Sequence, residues 1–347
     1  MLVTVRARIA RWLPGLSFGP LRAAALLMVG AVLLVAPYVG SGTELVRVRN
    51  ALLLGEDFVP SQDWAPPHFP PDFLRETVQS PPYFVAIARQ LNIDALPDDW
   101  SRALAISQHL LGSAPALYGG PVQRNLEQTH RAIVELGSGY CGDFVRIFTA
   151  IANAAGMTVR PWAFSFDGFG GDGHVWIEVW NRQRREWQLV GIFDNVYFVN
   201  DSHSGPLSAL EVRRSMRTKD PSLQLRPLTR SARPGFEIEA KAWEYYSRGR
   251  DEWYVPWGNN VFTVDSTPAA RLFSGTSRSL EQLGAVLAQT MPPIRMLAED
   301  VNVGQRAAMR SLRLRLHVAA ALVFAGLVLI AVAAARSLLC RRQRSRD

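Results

Sequence analysis

Lysine and cysteine are nearly missing from this chain. Of 347 residues only two are lysine, against 36 arginines, and only two are cysteine, Cys141 and Cys340. Two cysteines this far apart exclude a disulfide-stapled fold, and without close Cys or His pairs there is no structural zinc site. Zinc held by Cys141, His174 and a further histidine lacks the ligand spacing, so neither a metal nor a cofactor is expected. Acid is also missing where it would balance the ends. Residues 1–40 hold Arg6, Arg8, Arg11 and Arg22 with no acid, and residues 317–347 hold five arginines and only Asp347. The formal net charge of +8 therefore sits entirely at the ends, while residues 41–316 carry 29 basic and 29 acidic residues. A charge-balanced middle gives no footprint for nucleic acid.

Long apolar runs are present at both ends. Ala23–Val39 is apolar for 17 residues and Val318–Ala335 for 18. Each reaches the length that spans a bilayer as a helix, and arginines flank both. Arg6 to Arg22 precede the first run, which sets the N-terminal side as cytoplasmic. The second run has arginines on both sides (Arg306, Arg310, Arg313 and Arg315 before it), so it decides nothing alone. With no clear small-x-small cleavage site near Ala36–Ser41, the first run is expected to stay as an anchor. The expected layout is a basic cytoplasmic tail at 1–22, a transmembrane helix at 23–40 and a proline-rich linker or cap at 41–97. A catalytic-type domain follows at 98–200, an extracytoplasmic extension at 201–316, a transmembrane helix at 317–336 and a basic tail at 337–347.

Within the middle, seven prolines between 57 and 82 predict extended or irregular chain. Helices are predicted from Asp98, over Leu126–Leu136 and over Cys141–Ala155, with Gly119-Gly120-Pro121 as a turn and Gly137-Ser-Gly139 as a break. Val159–Phe166, His174–Trp180 and Trp187–Phe193 read as strands, the last two joined by the polar turn 181–186. Another helix is expected around Ser279–Met296. The aromatic stretch Trp243–Trp257 reads as core, membrane-interface packing or a sugar-stacking surface.

Cys141 stands where a glycine-rich turn enters a helix, a position that favours an anion and offers N–H groups to an oxyanion. Among the histidines, His174 is best placed as its base, at a strand start after a glycine-rich loop. His109 and His130 lie in predicted helices and read as structural. Gly168-Phe-Gly170-Gly-Asp-Gly173 spells a dinucleotide fingerprint, but a strand follows where a helix is required. A loop able to move over the site is the better reading.

The run Gly139-Tyr-Cys-Gly-Asp143, then Gly156-Met-Thr-Val-Arg160, then His174-Val-Trp-Ile-Glu-Val179, then Trp187 and an acid, resembles the transglutaminase-like superfamily. The resemblance covers roughly residues 98–200. It implies an α+β, papain-like domain between the two terminal helices, with a Cys–His–Asp triad in which Cys141 is the nucleophile and His174 the base. The third member departs from the pattern, because the usual aspartate position falls on Gly191. A hairpin turn centred near 183–184 brings residues 192–194 opposite His174, so Asp194 is the expected third member, aimed by a bulge, with Glu178 as the fallback. Arg160 and Asp143 are expected to be structural.

These readings point to a membrane-anchored cysteine hydrolase or acyltransferase. It would act on peptide, protein or other amide-bearing envelope substrates outside the cytoplasm. The rival is an inactive scaffold of the same fold in an envelope or polysaccharide-assembly complex, motivated by Gly191. The arginine bias fits a GC-rich bacterial genome, and the two apolar runs with their basic flanks set the expected location as the cytoplasmic (inner) membrane.

Overall fold

The computed structural model describes residues 18–344, apart from 115–118, 121, 123, 231–235, 237 and 274–277. The basic stretch before Phe18, Pro121 of the predicted turn, the side chain of Cys340 and Asp347 lie outside the described residues.

Helix α1, Phe18–Val35, is apolar on every side and about 27 Å long, near the thickness of a bilayer core. After a short 3-10 turn, Ser41 caps α2, Gly42–Leu52, by accepting the Glu44 amide. At the other end α12, Val303–Arg344, runs for 42 residues, about 63 Å, roughly twice that thickness. Its outer part packs along α1, where Gly30 and Gly326 let the helices approach. Its inner part buries Met309, Leu312 and Leu316 on α2 and the sheet. Two helices of the chain are thus long and apolar enough to cross a membrane. The arginines ahead of the second run are engaged in this stem: Arg306 and Arg310 bind Asp57, and Arg313 donates to the Leu54 carbonyl at 2.8 Å.

Between them helix and sheet mix, as the α+β reading expects. Helices α3 (Pro82–Gln90), α4 (Asp99–Gly112) and α5 (Leu126–Leu136) surround α6, Cys141–Ala154. Asp98 and Asn125 cap α4 and α5 by accepting amides three residues on. Strands β1 (Val159–Ser165), β2 (Gly173–Asn181) and β3 (Glu186–Val190) form a meander, and β4 (Val196–Val199) follows. Further on come α7 (Ala209–Thr218), β5 (Gln224–Pro227), α8 (Glu239–Arg248) and β6 (Glu252–Pro256). Two short helices, α9 (Val261–Ser266) and α10 (Pro268–Phe273), lead to α11 (Arg278–Leu287) and β7 (Ile294–Met296).

The main sheet is antiparallel, in the order β3-β2-β1-β6-β7. Alternation divides its side chains between two layers. Val159, Ile177, Val179 and Val190 meet Phe144, Ile147, Phe148 and Ile151 of α6. Trp162, Phe164, Trp176 and Trp253 face a second, aromatic core with α7 and α8.

Of the linker and the irregular cap read for residues 57–82, the packing is that of a cap, with Phe58, Trp64 and Phe73 buried in the aromatic core. Two expectations change. The helix predicted to Met296 stops at Leu287, and Met291-Pro-Pro293 leads into edge strand β7 instead. Prolines end a helix but permit an edge strand to start after them. Strand β3 ends at Val190, short of the predicted Phe193.

Candidate active site

The first turn of α6 is built by its flanks. Gly137 and Gly139 have φ of 65° and 139°, and a Cβ on Gly139 would press on Ile133 and Phe144 at 3.2 Å. The chain can therefore break α5 sharply and restart at once. The Tyr140 amide donates to the Asp143 carboxylate at 3.1 Å, which gives Asp143 the structural capping role expected of it. Cys141 is the first helical residue, half-buried, at the N-terminus of α6, where the Asp143 and Phe144 amides donate to the Tyr140 carbonyl at 2.9 and 3.1 Å.

His174, the second residue of β2, is buried and contacts the Cys141 side chain. Its Nε2 lies 3.0 Å from Asp194 Oδ2. The Nε2 hydrogen points off that line, so the contact is first an ion pair. The three residues singled out from sequence thus meet. Asp194 arrives by a route other than the expected bulge. The β2–β3 register pairs Ile177 with Val190, and continuing it sets residue 193 opposite His174. Gly191 and Val196 then exchange backbone hydrogen bonds of 2.8 and 3.1 Å, closing a turn over 192–195 that carries Asp194 inward. Asn195, at φ 58°, holds the turn by accepting the Thr229 amide at 3.0 Å.

Burial alone would strip the proton from His174. The Asp194 carboxylate and the Cys141 sulfur outweigh it and push the imidazole up to about 10. The site therefore stores a proton next to a sulfur nucleophile.

Residues 85–192 match the family model of the transglutaminase-like superfamily. The chain carries a transglutaminase-like domain. No curated protein and no solved structure matches it. The matched stretch begins at α3, includes Cys141 and His174, and stops two residues short of Asp194.

Gly191, where the family's aspartate would fall, has no space for a side chain in this transglutaminase-like domain. A Cβ there would lie 2.8 Å from Val196 Cγ2 and 3.0 Å from the Val196 carbonyl. The fallback acid, Glu178, is occupied elsewhere. It accepts from Arg160 Nε and Trp162 Nε1, both at 2.5 Å, and from the Ala209 amide at 2.6 Å. Arg160 also binds Asp63 at 2.5 Å, and its guanidinium lies 4.1 Å from the Trp187 ring centroid. This network ties the cap, the sheet and α7 together.

The glycine loop ahead of His174 is pinned, contrary to the expected mobile cover. Phe169 is fully buried, and its carbonyl accepts from Asn50 at 2.8 Å. Gly171 donates to the Thr43 carbonyl at 3.1 Å, and Glu252 accepts the amides of Gly168 and Phe169. No helix follows it, so no dinucleotide turn is formed. Among the described residues no group of three or more His, Cys, Asp and Glu side chains is placed to hold a metal. A cavity of about 230 Å³ opens beside Gly142, between α6 and the sheet, walled by Val145, Ala163, Val175 and Tyr254.

Sequence reasoning missed Tyr245 and Tyr246 of α8. Tyr245 donates to the Gly173 carbonyl at 2.7 Å and Tyr246 to Asp194 Oδ2 at 2.5 Å. Their one signal was membership of the aromatic stretch, which reads equally as core.

Proposed function

We propose that the protein is a membrane-anchored cysteine hydrolase or acyltransferase acting on amide bonds outside the cytoplasm, with Cys141, His174 and Asp194 as its triad. The observation that carries this reading is the contact of His174 with Cys141 on one side and with Asp194 at 3.0 Å on the other. The Cys141 thiolate attacks an amide carbonyl carbon, and the oxyanion faces the first-turn amides of α6. The C–N bond breaks as the imidazolium of His174 gives its proton to the leaving amine. Water or a second amine then attacks the thioester while His174 takes the proton back. This releases an acid or a new amide and restores the thiolate–imidazolium pair. Asp194 orients the ring and stabilises its charged form.

The arginine-rich tails support a cytoplasmic location for both ends, in a bacterial inner membrane, with the domain on the outer side. Peptides, proteins and amide-bearing envelope polymers are the substrates within reach there. The scaffold alternative was motivated by Gly191, and Asp194 beside His174 weakens that motive.

The test uses full-length protein in detergent with Cys340→Ser, so that alkylation by iodoacetamide reports Cys141 alone. Cys141 should react at pH 7 well above the rate of an ordinary thiol, and His174→Ala should remove the excess. Cys141→Ser should abolish hydrolysis or amine incorporation on an amide substrate library. A Cys141 that alkylates like a free peptide thiol, with or without His174, favours the scaffold instead.

A further inference from the structure

Asp194 lies in a turn, where neighbouring strands do not fix a side chain as a ladder would. Its carboxylate is buried, with the residue 2 % exposed, and an acid in such a place needs donors to stay charged and still. Two partners meet on one oxygen. His174 Nε2 approaches Oδ2 at 3.0 Å, and the Tyr246 hydroxyl donates to the same Oδ2 at 2.5 Å. Tyr246 is itself fully buried, its ring against Trp176 and Phe198, so the phenol oxygen has little freedom to wander. Next to it, Tyr245 donates to the carbonyl of Gly173, the residue before His174. Consecutive residues on a helix point about 100° apart, so one helix can grip both ends of the His–Asp arm. Both tyrosines lie in the 201–316 extension, beyond the matched 85–192 stretch.

We infer that Tyr246, with Tyr245 beside it, is a positioning residue for the His174–Asp194 pair, and that the extension completes the active site. The inference rests on the proposed function. Tyr246 fixes the carboxylate oxygen from behind, and Tyr245 fixes the backbone from which His174 projects. Together they supply the rigidity that an aspartate on β3 would have had from the sheet. Burial, with Asp194 adding to it, holds the Tyr246 phenol well above its usual range, so it remains a donor at every pH at which the pair works.

The test follows Cys141 alkylation against pH in the full-length Cys340→Ser protein. The alkaline limb of that profile reports loss of the His174 proton. Tyr246→Phe keeps the ring and removes one donor. Asp194 then turns more of its charge to the imidazole, and the limb should move up by about half a pH unit. In an Asp194→Asn background the same substitution should move it no further, because the effect passes through Asp194. A role in packing alone would lower the melting temperature and leave the limb where it was, which overturns the inference. Equal shifts in both backgrounds overturn it as well. If Tyr246→Phe does not fold, Cζ-labelled tyrosine NMR of the unsubstituted ring decides. The Tyr246 resonance must move when Asp194→Asn is introduced, and an unmoved resonance overturns the inference. If His174→Ala already leaves alkylation unchanged, the proposed function has failed, separately from the tyrosines.

Discussion

Two buried histidines sit on opposite sides of this domain, and their surroundings drive them in opposite directions. His130 of α5 meets the Tyr83 hydroxyl and His109 Nε2, both at 2.8 Å. Burial, helped by His109 and Arg131, pulls it down to about 4, so it stays neutral as one link in a neutral chain. His174 is as deeply enclosed, yet it is pushed up to about 10. Burial is common to both, so the anion beside the ring decides between them. A histidine with neutral partners staples helices together, whereas one with a carboxylate behind it and a sulfur in front is loaded with a proton.

The sharpest way to break this contrast is to take the anion away. Asp194→Asn should move His174 toward His130, with burial now opposed only by the Cys141 sulfur and its pKa well below about 10. Cys141 alkylation at pH 7 should drop by roughly tenfold or more, toward the rate of an ordinary thiol, of which only a few per cent is thiolate at that pH. An unchanged rate would mean that the Cys141–His174 dyad works without the acid. The reverse experiment supplies an anion to the other site. Tyr83→Glu sets a carboxylate near His130 Nδ1, and NMR titration should find that ring raised by about two units. A ring still at about 4 would show that burial outranks charge.

The smallest effect is on stability. His130 in the fold is depressed to about 4 against an ordinary 6.5. Between those values the unfolded chain binds the proton more readily, so stability should fall as pH drops from about 6.5 to about 4, then level off. His130→Phe should flatten that part of the melting-temperature profile. A slope of the same size in the variant would assign it to other groups.

The sequence carried half of the site. Gly137 and Gly139 mark the break before Cys141, and the spacing of Phe144, Ile147, Phe148 and Ile151 fixes the helix behind it. The hairpin count around 183–184 located residues 192–194 opposite His174, because register follows from turn position. What stayed hidden depends on contacts remote in sequence. The turn at 192–195 needs Asn195 in the left-handed region, anchored by Thr229, and no local pattern announces that anchor. Tyr246 sits 52 residues from Asp194 in a stretch whose aromatics all read as core. The stem arginines left the second run ambiguous as a topology signal, and that Arg306 and Arg310 bind Asp57 and Arg313 the Leu54 carbonyl is something only tertiary packing reveals.

The clamp on the 167–171 loop bears on how the protein can be taken apart. Thr43 and Asn50 of α2 hold that loop, and Leu54 and Phe58 bridge to Ile294 and Leu297 near β7. Segments on either side of the matched stretch thus wrap it and lace to each other. The family-matched stretch is not an excisable module. A soluble fragment cut at its borders would shed the clasp on the histidine's loop, the acid and both tyrosines. Any fragment that is to keep Cys141, His174 and Asp194 together with their clasps must keep the chain from α2 through the base of α12.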